Sequence, residues 1–134
     1  MPARAERTYD RPLLDKLGVK PGARVALYGV DDPDFRHQLR ARTTDISDGC
    51  ATDATDLILL AADSVGQLVG LRALVDPLKR DGAIWVVSRK GKSATIRDVD
   101  VIEAARSAGL VDNKVVSFSG THTALRLVIP RALR

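Results

Sequence analysis

Residues 56–62 read Asp-Leu-Ile-Leu-Leu-Ala-Ala, and this continuous apolar stretch decides the fold. A strand with one solvated face alternates apolar and polar residues, whereas a strand that is covered on both faces is apolar throughout. Strands of the second kind belong to parallel sheets, whose crossover connections place helices on both faces. The stretch therefore predicts a buried strand in a layered α/β domain.

The sequence that follows continues this pattern of strand and helix. Ser64 and Gln67 form a capping box that predicts a helix start, and Lys79-Arg80 and Gly82 are expected at and beyond its carboxyl end. The helix is expected to run through the apolar positions Val65, Leu68, Val69, Leu71, Leu74, Val75 and Leu78. Residues 83–87 predict a second buried strand. Thr95 with Asp98 predicts the next helix start, and the inner face of that helix is expected at Val99, Ile102, Ala105 and Ala108.

Before the deciding stretch, the chain predicts one more strand between two short helices. Residues 12–17 form an apolar-faced helix that Gly18 can cap, and residues 24–28 read as the first strand. Asp32 can cap a second helix that has Pro33 in its first turn. Phe35 and Leu39 lie four residues apart and share one face of it. The polar residues 41–55 predict at most one brief strand, around Thr44–Ile46.

The end of the chain departs from the alternation of strands and helices. Residues 114–118 and 124–129 read as strands that are separated only by a turn around Gly120, so they must pair antiparallel. The predicted fold is a three-layer, Rossmann-like α/β domain. Its mostly parallel sheet has helices on both faces and is closed by an antiparallel C-terminal hairpin. Residues 1–134 are expected to form a single domain, with loosely held ends at 1–8 and 131–134.

Composition narrows the classes of partner. The net charge of +4 arises from 21 basic and 17 acidic residues that are interspersed, and only 4% of the residues are aromatic, which argues against a nucleic-acid partner. The longest apolar run is far short of a bilayer span, and the first residues lack the apolar core of a signal peptide. We therefore expect a cytoplasmic protein with no membrane association. Cys50 is the only cysteine, which excludes an intrachain disulfide and a four-cysteine zinc site.

Several stretches resemble a known family. They are residues 16–22 (Lys-Leu-Gly-Val-Lys-Pro-Gly), 56–59, 82–86, 108–115 (Ala-Gly-Leu-Val-Asp-Asn-Lys-Val) and 124–126. Together they span nearly the whole chain. They resemble a small bacterial family of unknown function that has the class I S-adenosylmethionine-dependent methyltransferase fold in truncated form. The closing hairpin resembles the same fold.

The resemblance to the wider class implies S-adenosylmethionine as a cofactor, with Gly29 and Asp31 in the loop that would hold it. Two departures from the pattern of that class count against the binding of S-adenosylmethionine. Only Gly29 matches the glycine-rich signature, and the carboxylates of Asp31 and Asp32 occupy the approach to the loop. The interval of about 27 residues before Asp56 also leaves little room for two full βα units and for an acidic residue that would hold a ribose. The departures favour a domain without a cofactor.

One loop concentrates candidate site chemistry. Ser88, Arg89, Lys90, Lys92 and Ser93 follow the carboxyl end of a central strand and precede a helix, where open α/β sheets bind ligands. Three cations and two hydroxyl groups around Gly91 predict a site for a phosphate or a carboxylate. The alternative is a solvated basic turn. The spacing of a nucleotide-binding P-loop is absent.

No residue receives a catalytic or metal-binding role from the sequence. His37 is expected on an exposed helix, and His122 is expected in the hairpin turn without a nucleophile partner. Four aspartates, Asp31, Asp32, Asp34 and Asp63, could converge on a magnesium ion, but helix capping already explains Asp32. The predicted function is a non-catalytic methyltransferase-like domain that binds a small anionic ligand or a protein partner. The alternatives are a divergent S-adenosylmethionine-dependent methyltransferase and a structural subunit that forms a homodimer through the closing hairpin or a sheet edge.

Overall fold

A six-stranded sheet runs through residues 12–134, the part of the chain that the computed structural model describes. The strands are β1 Val25–Tyr28, β2 Ile46–Asp48, β3 Thr55–Ala61, β4 Leu78–Arg89, β5 Val111–Ser117 and β6 His122–Val128. Their order across the sheet is β2-β1-β3-β4-β6-β5. The first four strands pair parallel, whereas β6 pairs antiparallel with both β4 and β5. The predicted fold class is confirmed, and the prediction for residues 1–8 lies outside the described residues.

Helices cover both faces of this sheet. They are α1 Leu13–Leu17, α2 Pro33–Arg42, α3 Val65–Leu68, α4 Leu71–Val75 and α5 Asp98–Ser107, with short 3-10 turns at Gly91–Ser93 and Arg131–Leu133. The first two helices pack on one face through Leu17, Phe35 and Leu39. The other three pack on the opposite face through apolar side chains such as Leu71 and Ala105. The chain therefore has the three layers that the sequence predicts.

Trp85 of β4 holds the helix α1 against the sheet. Its side chain is fully buried, and its indole N–H donates to the carbonyl oxygen of Leu17 at 3.0 Å. That carbonyl lies at the end of α1, where helical carbonyls lack partners within the helix. Gly18, with φ of 80°, then ends the helix as its sequence position predicts. One hydrogen bond thus joins α1 to the centre of the sheet.

The segment after β3 differs from its prediction. The capping box of Ser64 and Gln67 is confirmed, but the single helix expected up to Leu78 is two short helices that separate at Gly70. Pro77 prevents continuation, because it has no N–H to donate and its ring clashes with the preceding helical turn. Leu78, Lys79, Arg80 and Gly82 consequently belong to the extended strand β4 instead of a helix end.

Two further boundaries are corrected. Helix α5 begins at Asp98, and the carboxylate of Asp100 accepts from the backbone N–H of Arg97, so Thr95 does not cap it. Val101 is buried on its inner face, whereas Val99 is 45% exposed. The brief strand expected around Thr44–Ile46 is β2, two residues later, because α2 continues to Arg42.

Candidate functional site

The order of the strands creates a crevice at one edge of the sheet. From β1 the chain crosses to β2 on one side, while β3 lies on the other side of β1, so the direction of winding reverses there. Open α/β sheets bind ligands outside the carboxyl ends of the strands at such a switch point. A cleft of about 550 Å³ lies at this place, and we refer to it as the switch-point cleft. Its lining is Gly29, Val30, Asp31, Asp32, Pro33, Asp34, Ala61, Val87, Phe118, Thr121 and His122.

The turn after β1 forms one wall of the cleft. Gly29 has φ of 75°, a left-handed conformation that costs other residues energy, and a Cβ at this position would lie 3.5 Å from the Cβ of Ala61. The side chain of Asp32 accepts the backbone N–H of Phe35 at 3.1 Å and so caps α2, as predicted. Asp31 and Asp34 are exposed beside it. Gly29 and Asp31, the two residues named for a cofactor, therefore lie together in the cleft.

The floor and the opposite wall come from the C-terminal half of the chain. Val87 and Phe118 are buried, and the ring of Phe118 packs on Phe35 with 4.9 Å between the ring centroids. Thr121 Oγ1 is 2.8 Å from Nδ1 of His122. The sequence predicts His122 in the hairpin turn without a nucleophile partner, whereas the structure places it at the start of β6 with the hydroxyl of Thr121 within hydrogen-bond distance. The cleft thus has an apolar floor, an acidic wall and a hydroxyl–imidazole wall.

An acidic residue at the end of β2 escapes the sequence-based prediction. Asp48 is the last residue of β2 and pairs with Leu27 of β1, one strand from the cleft. It follows Gly29 by about 20 residues, which is the spacing of the acidic residue that holds a ribose in dinucleotide-binding βαβ units. That spacing is the signal available in the sequence. The short interval therefore accommodates an acidic residue at this position, although the chain passes from β2 to β3 without an intervening helix.

Asp48 is engaged by an arginine from α2. The guanidinium of Arg36 donates from Nη1 to Oδ2 of Asp48 at 3.2 Å and from Nη2 to Oδ1, and its Nε donates to the carbonyl oxygen of Val30 at 2.9 Å. The hydrogen bonds between the two side chains lower the pKa of Asp48 and raise the pKa of Arg36. Both carboxylate oxygens therefore have a partner within the protein, and the turn after β1 is tied to the end of β2.

The loop Ser88–Ser93 lies at the same edge of the sheet but outside the cleft lining. Ser88 is buried, and Arg89 lies 3.6 Å from the carboxylate of Asp63. The amine of Lys90 donates to the hydroxyl of Ser117 at 2.7 Å. Lys92 and Ser93 lie on the exposed 3-10 turn, well before α5 begins at Asp98. The structure therefore directs these side chains to different neighbours.

The described residues form neither a metal-ligating cluster nor a membrane-spanning helix. Within residues 12–134 there is no group of three histidine, cysteine or carboxylate side chains that could hold a metal ion, so Asp31, Asp32, Asp34 and Asp63 do not converge. The same part of the chain has no helix with the length and apolarity needed to cross a membrane. Cys50 and His37 are both exposed.

A family model and proteins of known sequence both match most of the chain. The family model described as "Protein of unknown function (DUF3052)" matches residues 14–131. Uncharacterized proteins of Mycobacterium bovis and Mycobacterium tuberculosis are 33% identical to the chain over 124 residues, which cover 87% of the chain and 78% of each relative. The match extends over nearly all the described residues, so the relationship concerns the whole domain.

Comparison with solved structures identifies the fold. A SAM-dependent methyltransferase from Aquifex aeolicus aligns with a TM-score of 0.67 and 13% identity, covering 92% of this chain and 96% of that one. The magnesium protoporphyrin IX methyltransferase of Synechocystis, solved with bound SAM, aligns with a TM-score of 0.61 and 10% identity over 87% and 74% of the two chains. At these identities the likeness shows a class I methyltransferase fold and leaves the activity open.

Proposed function

The chain belongs to the DUF3052 family, and we propose that it is a non-catalytic methyltransferase-like domain that binds a small neutral or cationic molecule in the switch-point cleft. The observation that carries this proposal is the pairing of an apolar floor with an acidic wall. Val87 and Phe118, although largely buried, line the cleft with apolar groups, and the exposed Asp31 and Asp34 give its wall negative charge. A carboxylate-lined cleft attracts cations and repels anions.

The residues do not fit S-adenosylmethionine in the way the fold implies. The approach beyond Gly29 carries carboxylates where further glycines would let backbone N–H groups come close to a ligand. The carboxylate of Asp48, which has the spacing of a ribose ligand, already accepts two hydrogen bonds from Arg36. A ribose would have to displace that guanidinium. These two features support a binding domain in preference to a methyltransferase.

A matched pair of probes tests the proposed ligand chemistry. Benzamidine and benzoate have the same aromatic ring and carry opposite charges, so their difference in affinity reports the charge of the cleft. We expect benzamidine to bind and to shift backbone amide signals of Gly29 and Phe118 in NMR spectra, and benzoate to leave them in place. Asp31→Asn should weaken benzamidine binding several-fold, whereas Asp112→Asn on β5 should not. Equal binding of both probes would contradict the proposal.

The second candidate function is a divergent methyltransferase that uses S-adenosylmethionine. It is favoured by the position of Asp48 at the end of β2 and by the left-handed turn at Gly29. Calorimetric titration with S-adenosylmethionine and S-adenosylhomocysteine separates the two candidates. Binding at micromolar concentrations that Arg36→Gln strengthens would favour the methyltransferase. No heat of binding from either compound would favour the first proposal.

Two further proposals concern other surfaces. The loop Ser88–Ser93 is proposed to bind a small anion, and equal anion affinity of the wild type and the triple variant Arg89→Ala, Lys90→Ala, Lys92→Ala would contradict that.

A protein partner is favoured by a groove of about 400 Å³ between α3 and α5, beside which Val65 and Val69 are exposed. Light scattering of the purified chain, alone and in mixtures, measures association through this groove.

A further inference from the structure

A second recess lies at the opposite edge of the sheet from the switch-point cleft. It has a volume of about 460 Å³ and lies where β3 and β4 begin, beside the turn that follows α1. We call it the amino-edge pocket, and its charged lining residues are Lys20, Asp56, Lys79, Asp81 and Arg126. Because it is separated from the cleft by the length of the strands, its chemistry is independent of the proposed function.

Arg126 is the unusual member of this set. It lies on β6 opposite the buried Trp85, and it is only partly exposed. Within the described part of the chain, its side chain makes one hydrogen bond, from Nη1 to the amide oxygen of Asn113 at 3.3 Å. No carboxylate from residues 12–134 lies within ion-pair distance of it. A partly buried guanidinium without a counter-ion is costly, so charged groups of this kind are normally paired.

Burial disfavours the charge on this side chain, and it lowers the pKa of Arg126, with a further lowering by the nearby Arg134. The surrounding charges do not compensate. Lys114 lies opposite Arg126 on the neighbouring strand β5 and adds another positive charge. The guanidinium of Arg126 therefore has two further cations nearby, Lys114 on β5 and Arg134.

The carboxylates of the pocket are committed elsewhere or exposed. Asp56 accepts the backbone N–H of Arg24 at 2.9 Å through Oδ2, and its Oδ1 lies 3.5 Å from the amine of Lys79. Asp81 is exposed and forms no ion pair with the residues that the structure describes. Lys20 likewise projects at the rim as an exposed cation. Asp56 offsets Lys79, and the formal charge of Asp81 offsets that of Lys20, so the positive charge that remains in the pocket corresponds to Arg126.

We propose that the amino-edge pocket binds an oxyanion, a phosphate or carboxylate group of a small molecule, with Arg126 as its principal donor. The planar guanidinium donates two parallel N–H bonds to such a group, and Lys20 supplies charge at the rim. The oxyanion gives Arg126 the counter-ion that residues 12–134 do not provide. Arg89 in the loop Ser88–Ser93 differs from Arg126, because Arg89 already lies beside the carboxylate of Asp63.

The test is titration of the full chain with inorganic phosphate and, in parallel, with acetate, at an ionic strength kept constant with chloride. Arg126→Gln removes the proposed donor, and Arg106→Gln removes an exposed charge on α5 as the matched control. We expect saturable binding of at least one anion to the wild type and to the control. Affinity should fall at least about tenfold in Arg126→Gln. The stronger of the two anions identifies the group that the natural ligand carries.

A measurement on the wild type keeps the test independent of how well the variant folds. The side-chain Nε–H signal of Arg126 should shift during the titration, with the same midpoint as the calorimetric curve. Saturable binding that spares this signal, or equal affinity in Arg126→Gln and Arg106→Gln, would overturn the proposal. Loss of binding in the triple alanine variant of Arg89, Lys90 and Lys92 would overturn it as well, and would support the loop instead. The absence of saturable binding by the wild type would also reject it.

Discussion

Gly82 offers the sharpest test of how closely β3 and β4 pack against each other near the start of these strands. It lies in β4, where a Cβ would be 2.6 Å from the carbonyl oxygen of Asp56, 2.9 Å from Cδ1 of Leu78 and 3.0 Å from the carbonyl oxygen of Lys79. Two of these neighbours are backbone atoms. The first is held in place, because the N–H of Asp56 donates to the carbonyl oxygen of Arg24 at 2.9 Å and its side chain accepts from the same residue. Gly82→Ala therefore forces β3 and β4 apart.

The size of the effect follows from that geometry. Overpacking a well-filled site costs about 1–3 kcal/mol, and the two backbone contacts put Gly82→Ala near the upper end of this range. In a domain of this size each kcal/mol corresponds to roughly 3–5 °C in the melting temperature. We expect the melting temperature of Gly82→Ala to fall by roughly 10 °C.

Gly66 provides the matched control for the same substitution. It lies in the helix α3, and the nearest atom to a Cβ placed there is Oγ of Ser64 at 3.8 Å, an ordinary contact. Gly66→Ala should be neutral or stabilise the protein by up to about 0.5 kcal/mol, because alanine favours the helix. Urea titration and thermal melts followed by circular dichroism measure both variants. Equal stability of Gly82→Ala and Gly66→Ala would refute the argument from close backbone approach.

Three other predictions concern the site and the core. Asp48→Asn should destabilise the protein at neutral pH. Because Arg36 lowers the pKa of Asp48 in the folded state, the pair contributes fully above the unfolded pKa and is lost as pH falls through the lower folded value. The difference in urea midpoint between wild type and Asp48→Asn should therefore shrink below about pH 4. Trp85→Phe should cost about 3 kcal/mol, because it leaves a cavity and an unpaired Leu17 carbonyl, and a near-neutral result in urea titration would contradict this. Val69→Asp should reduce any concentration-dependent mass in light scattering, since Val69 is 78% exposed beside the apolar groove.

The strands and their mode of pairing could be predicted because each signal is local. A continuous apolar stretch such as residues 56–62 indicates burial on both faces, and the turn at Gly120 forces the last two strands to pair antiparallel. The predicted helix after β3 extends too far, because its apolar spacing continues past Gly70 to Leu78. Periodicity alone does not show that Pro77 ends the helix and that the following apolar residues join a strand.

The site was harder to predict than the fold, as Asp48 and Arg126 illustrate. Asp48 lies in a polar stretch without clear periodicity, and its place at the end of β2 depends on where α2 ends. Arg126 is one of many arginines in the sequence, and nothing near it in the chain sets it apart. Its lack of a carboxylate partner among residues 12–134 becomes visible only when residues from β3, β4 and β5 are brought around it.

By itself, the sequence determined the α/β class, the antiparallel closing hairpin, the cap of α2 at Asp32 and the capping box at Ser64. All of these rest on interactions between residues that are close in the chain or on the period of a single element. The tertiary structure decided which charges meet: Arg36 with Asp48, Arg89 with Asp63, and Arg126 with no carboxylate from the described residues. Such pairings join residues from different elements, and their geometry is fixed only when the strand order and the helix ends are fixed.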